Sequence, residues 1–121
     1  MKIFANGIVA DTITLSAGGT NAIKISFRFN ATAHWSEINK LRFDLAKAME
    51  KQTPDYEFIG ARVIDMFNIV FGAECTKQML DFFDGHLESM ITNLSPVFQY
   101  KIYPACDKAR KAAIKARKKA K

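Results

Sequence analysis

The sequence predicts an α+β domain: an N-terminal three-stranded antiparallel β-meander followed by a bundle of about four helices, the last long and basic. Three observations carry this. Apolar residues alternate with polar ones up to Asn30, they recur every three to four positions from Trp35 onward, and cations crowd residues 107–121. A chain of 121 residues has room for one domain. That domain is expected over 1–106, with the meander in 1–30 and helices in 36–106, and 107–121 form a basic helical or frayed tail. With 49% apolar and 25% charged residues, the composition excludes disordered, collagenous and disulfide-stapled classes.

The meander is read from turns and alternation. Asn6-Gly7, between Lys2–Ala5 and Ile8–Ala10, is a strong signal for a tight hairpin turn. Ser16–Asn21 supplies a looser second turn. Beyond it Ile23, Ile25, Phe27 and Phe29 alternate with Lys24, Ser26, Arg28 and Asn30, and Ile13 and Leu15 repeat the pattern against Thr12 and Thr14. One face of the sheet is therefore apolar and has to be covered by the helices that follow.

Ser36 is the expected N-cap of a first helix with the stripe Ile38, Leu41, Leu45, Ala48 and Met49, while Lys40, Asp44 and Lys47 face out. Gln52-Thr53-Pro54 ends it. Thr53, with Pro54 in the first turn and Glu57 behind, restarts a central helix whose stripe is Ile59, Val63, Met66 and Val70, broadened by Ile64, Phe67 and Phe71. Gly72 breaks that helix. A third offers Met79, Leu80, Phe82 and Phe83, and Asp84-Gly85 breaks again before Leu87, Met90, Ile91 and Leu94. Ser95-Pro96 resembles a fresh helix start, and Pro104, which cannot donate to Tyr100, predicts a kink or break near Tyr103.

No constellation carries enzymatic chemistry, so no catalytic residue, metal or cofactor is expected. His34 and His86 are isolated, although Glu37 follows His34 by three residues. Asp81, Asp84 and Glu88 read as a solvated helix face, and no glycine pattern cradles a phosphate. Cys75 and Cys106 form neither a disulfide framework nor a metal knuckle, and read as reduced, buried thiols. No uncharged apolar run is long enough for a membrane span, and the chain opens on a strand pattern instead of a signal peptide. The expectation is a cytoplasmic protein without membrane contact.

Two features remain. Ten phenylalanines are many for a small domain, and adjacent helical residues point about 100° apart, so Phe82 and Phe83 cannot both face one seam. Phe71, Phe82, Phe83 and Phe98 are the candidate partner-binding residues. The second feature is charge. Residues 1–106 hold ten Lys/Arg against eleven Asp/Glu, a net of −1, whereas 107–121 hold eight against one, a net of +7. Lys108, Arg110, Lys111, Lys115, Arg117, Lys118 and Lys119 belong to this tail, which can extend a helix without burying anything. Clustered cations suit nucleic-acid phosphates, but with no aromatic residue to stack on a base the tail is unsuited to base readout.

Phe67-Asn-Ile-Val-Phe-Gly-Ala-Glu-Cys-Thr76 resembles a segment of small proteins encoded in the tail-gene clusters of phages and prophages of Gram-positive bacteria. There a helix ends in a Phe-Gly-Glu-Gly-Thr type turn before a short helix and a long C-terminal one. Phe71, Gly72 and Thr76 keep the pattern, Ala73 and Cys75 depart from it, and the resemblance covers roughly residues 36–105. It implies a non-enzymatic tail assembly chaperone, with the tape-measure protein and tail tube protein as partners and self-association compatible with the role. Such genes are often extended by frameshifting, and Lys118-Lys119 suits a slippery codon pair. The alternative is a small nucleic-acid-binding regulatory protein using the basic tail.

Overall fold

Alternation of period two produces two nine-residue strands, β2 (Ile8–Ser16) and β3 (Ala22–Asn30), preceded by a two-residue β1 (Lys2–Ile3). The computed structural model describes residues 2–3, 7–16 and 22–119, with side chains over 7–16 and 22–118. β2 and β3 pair antiparallel along their full length. Val9 faces Phe29, Ile13 faces Ile25 and Leu15 faces Ile23 on the covered side, while Thr12 and Ser26 share a hydroxyl hydrogen bond of 2.9 Å on the open side. The strand order is β1-β2-β3, but the expected three-stranded meander reduces to a long two-stranded antiparallel sheet with a short rung: among the described residues β1 meets β2 at Lys2–Ala10 and Ile3–Val9. A two-residue turn at Asn6-Gly7 would instead pair Ile3 with Ala10. The turns themselves, at 4–6 and 17–21, lie outside the described residues.

No connecting residue separates sheet from helix. α1 (Ala31–Glu50) begins directly after β3, its N-cap nearly two turns before the expected cap at Ser36. Its cap is Asn30, whose Oδ1 accepts from Ala33 N–H at 3.2 Å, and the Gly7 carbonyl accepts from Ala31 N–H at 2.8 Å. A contact from the sheet therefore satisfies an amide that the local sequence leaves unpaired. Ile38 and Ala48 are buried, Leu41 and Leu45 pack at the core's edge, and Met49, expected in the same stripe, is exposed.

α2 (Tyr56–Phe71) is capped by Asp55, whose carboxylate accepts from Phe58 N–H at 3.2 Å, so Thr53 and Pro54 stand outside the helix. Met66, Phe67, Val70 and Phe71 are buried, and α2 covers β3, with Phe71 and Phe27 rings edge-on at 4.9 Å. At Gly72 (φ 85°, ψ 156°) the chain turns at once into α3 (Ala73–Phe82). The Gly72 carbonyl accepts from both Thr76 N–H at 3.0 Å and Thr76 Oγ1 at 2.8 Å, which explains why Thr76 is buried. The break predicted at Asp84-Gly85 is present: both residues have positive φ, and Gly85 N–H reaches back to the Leu80 carbonyl at 2.8 Å.

The last helix runs as one piece through α4 (Leu87–Val97), a π-turn (Phe98–Ile102) and α5 (Tyr103–Lys119). Ser95 is no helix start; its hydroxyl donates to the Ile91 carbonyl at 2.7 Å inside α4. The chain does not break at Pro104; the irregularity beside Tyr103 is the π-turn that ends at Ile102. Tyr103 N–H donates to the Phe98 carbonyl five residues back, and the extra residue of the π-turn relieves the clash that a proline ring would meet in an ideal helix. α5 runs unbroken through Cys106 and Asp107 and lies along α1, with Ala105 and Cys106 buried and Ala109 and Ala113 half-buried, so the basic segment does contribute to packing. No helix among the described residues is long and apolar enough to cross a membrane.

Candidate functional site

Burial places most of the predicted partner residues in the core. Phe71, Phe83 and Phe98 are only 6%, 6% and 5% exposed and belong to the core; Phe82 is half-buried, its ring edge-on to Phe83 at 5.2 Å. Phe67, Phe71 and Phe98 form a ring cluster with centroid distances of 5.0–5.9 Å. Three of the four candidates therefore hold the helices together.

Above this cluster lies an open groove of about 370 Å³ between α1, α2 and the α4 to α5 helix. Leu45, Val63, Met66, Phe67, Ile91 and Phe98 line it, with Ser95 and Gln99 along one edge and Arg42 and Tyr103 at one end. Sequence periodicity missed it, because each lining residue also reads as core. The π-turn builds one wall by presenting Phe98 and Gln99 together. The Tyr103 hydroxyl donates to Met66 Sδ at 3.4 Å, the Arg42 guanidinium lies 4.0 Å over the Tyr103 ring, and Arg42 pairs with Asp107 at 3.6 Å. This end of the groove is thus a closed, mutually neutralised cluster.

Burial pushes the Tyr103 hydroxyl above its ordinary value, opposed by Arg42 and reinforced by Cys106. Burial, and then the Asp107 carboxylate, push the Cys106 thiol from 9.0 up to about 12, again against Arg42. The folded thiol keeps its proton where an unfolded one has lost it. The stability this confers is complete below pH 9.0 and is lost as the pH rises toward 12. The melting temperature of the wild type is therefore expected to fall through this alkaline window, and Cys106→Ala to flatten that fall. An unchanged slope in the variant overturns the assignment.

Beyond Ile91 the groove widens into a mouth of about 550 Å³ lined by Met49, Tyr56, Ile59, Gly60, Gly85, His86, Leu87 and Glu88. Gly60 lets the Leu87 side chain approach closely, a Cβ there coming within 3.2 Å of it. Met49 and Tyr56 are 59% and 72% exposed, so the mouth presents apolar surface to solvent. A separate cleft between α1 and α2 has charged walls, Glu37, Lys40, Asp44, Arg62 and Asp65, around the apolar side chains of Leu41 and Ile69, with Arg62 and Asp65 paired at 2.9 Å. His34 bonds Glu37 at 3.0 Å on the surface, and among the described residues no group of three or more His, Cys, Asp or Glu could hold a metal ion.

The basic residues stand on α5. Lys108, Lys111, Lys115 and Lys118 follow one ridge and are exposed; Arg110 is half-buried and Arg117 exposed on another, and Lys119 closes the helix. None of the six from Lys108 to Lys118 forms an ion pair among the described residues. Comparison with known protein families, with characterised proteins and with solved structures finds no match to this chain.

Proposed function

We propose that this protein is a non-enzymatic phage tail morphogenesis factor, a tail assembly chaperone that takes helical segments of the tape-measure and tail tube proteins into the groove between α1, α2 and α4. One observation carries the reading: an open groove of about 370 Å³ whose apolar lining is Leu45, Val63, Met66, Phe67, Ile91 and Phe98. A tape-measure chain exposes long apolar stripes before the tube encloses it. Covering a stripe contributes roughly 25 cal/mol per Å², and many copies on one partner reach high avidity from modest sites that still release during assembly. The resemblance around Phe71, Gly72 and Thr76 supports the same role, placed in the host cytoplasm.

Co-expression with the tape-measure protein encoded beside it tests the reading. The wild type is expected to keep that protein soluble and to co-purify with it. Ser95→Trp, at an exposed position on the groove's edge, fills the channel without replacing a core side chain and is expected to abolish co-purification at an unchanged melting temperature. Failure of the wild type to co-purify overturns the proposal.

The unpaired cations of α5 favour a second reading, a small nucleic-acid-binding regulator. It requires affinity for DNA or RNA that falls steeply with salt and disappears when residues 107–121 are removed.

A further inference from the structure

Two free surfaces at opposite ends of this molecule complement one another. The first is the mouth, where exposed Met49 and Tyr56 surround a cavity of about 550 Å³. Glu88 lines it directly, and Glu50, Glu57 and Asp84 flank its lining residues, all four exposed and without an ion pair among the described residues. The segments 49–60 and 84–91 contain five carboxylates against Lys51 alone. This end is apolar at its centre and acidic around its rim.

The second surface is the far half of α5. Arg110, Ile114 and Arg117 are spaced i, i+4 and i+7, so they share one face of the helix. Ile114 is 39% exposed, the single large apolar side chain among residues 108–118, and it stands between two cations that have no carboxylate partner. The ridge Lys108, Lys111, Lys115 and Lys118 adds charge beside it. An apolar knob ringed by cations thus answers an apolar hollow ringed by carboxylates.

The helix directions prevent one molecule from joining its own two ends. Residues of the α4 to α5 helix meet Met49 near Ile91, Leu45 near Phe98 and Arg42 near Asp107, so this helix runs antiparallel to α1. Ile114 and Met49 therefore lie on opposite sides of the Arg42–Asp107 contact, about 20 Å apart at 1.5 Å per residue. We infer that the occupant of the mouth is the Arg110–Ile114–Arg117 face of a second copy of this chain. The contact is heterologous, since each copy uses a different surface, and it assembles into rings if the rotation between copies closes and into rows if it does not. The mouth adjoins the channel of the proposed function at Ile91, but Met49, Glu88 and Ile114 do not line that channel, so either can fail alone.

Sedimentation equilibrium on the full chain tests this. The mass is expected to rise above 13.6 kDa with concentration without a plateau at the dimer, and to fall back when salt is raised from about 50 mM to about 0.5 M. Ile114→Asp and Met49→Lys alter exposed side chains and retain the wild-type melt, and each weakens association at least about tenfold. Mixed together they form a one-to-one pair and stop, because one intact knob and one intact mouth remain. Glu88→Lys repeats the effect of Met49→Lys through charge alone. A wild type that stays monomeric at millimolar concentration overturns the inference, as does a mixture that stays monomeric while the wild type associates.

Discussion

Phe98→Ala is expected to lower the unfolding free energy by about 3–5 kcal/mol, the range for removing a buried phenyl ring. Phe98 packs against Phe67 at 5.0 Å, Phe71 at 5.9 Å and Tyr103 at 5.9 Å, and its ring closes the floor of the groove. The cavity left behind cannot collapse easily. β3 holds Phe71 through Phe27, and the π-turn holds the backbone of residue 98, so neighbouring rings have no route into the space. Domains of this kind have roughly 5–15 kcal/mol in total. The loss is therefore a large fraction of stability and lowers the melting temperature by about 10 °C or more. Thermal melts followed by circular dichroism read the effect. A variant that keeps the wild-type melt and loses only partner binding would put Phe98 on the surface, in conflict with its burial.

Gly72→Ala is expected to cost about 1–3 kcal/mol for a different reason. Nothing lies within 4 Å of where the new Cβ would sit, so no clash contributes. The cost is the backbone itself: φ 85° with ψ 156° is a conformation open to glycine and strained for any L side chain. The turn cannot relax into a helix, because Gly72 N–H donates to the Asn68 carbonyl at 2.9 Å while its own carbonyl takes two donors from Thr76. Asparagine, which suits left-handed caps with ψ near 45°, is expected to give no rescue here. Denaturant titration separates the outcomes, and a neutral Gly72→Ala would show that the elbow between α2 and α3 adapts.

The same elbow holds the residues on which the resemblance rests. Phe71 is buried against β3, Gly72 supplies the turn, and Thr76 seals the Gly72 carbonyl, so each has a structural reason to occupy its place. The groove and its mouth are instead built by residues distant in sequence. Leu45 and Ile91 meet across the groove, and Met49 and Leu87 meet at its mouth.

Periodicity alone determined the α+β class, the alternation of β2 and β3, the apolar stripe of α2 and the breaks at Gly72 and Asp84-Gly85, because each is a local property of side-chain spacing or backbone freedom. The basic character of α5 was likewise plain, since charge needs no fold to be counted. Tertiary structure decided the rest. α1 starts at Ala31 because the Gly7 carbonyl arrives from the sheet to take its first amide, and Pro104 continues the helix because a π-turn upstream makes room for its ring. Phe71, Phe83 and Phe98 went inside and Met49 outside because a stripe specifies which residues share a helix face, whereas the packing of the other helices decides how much of that face is covered.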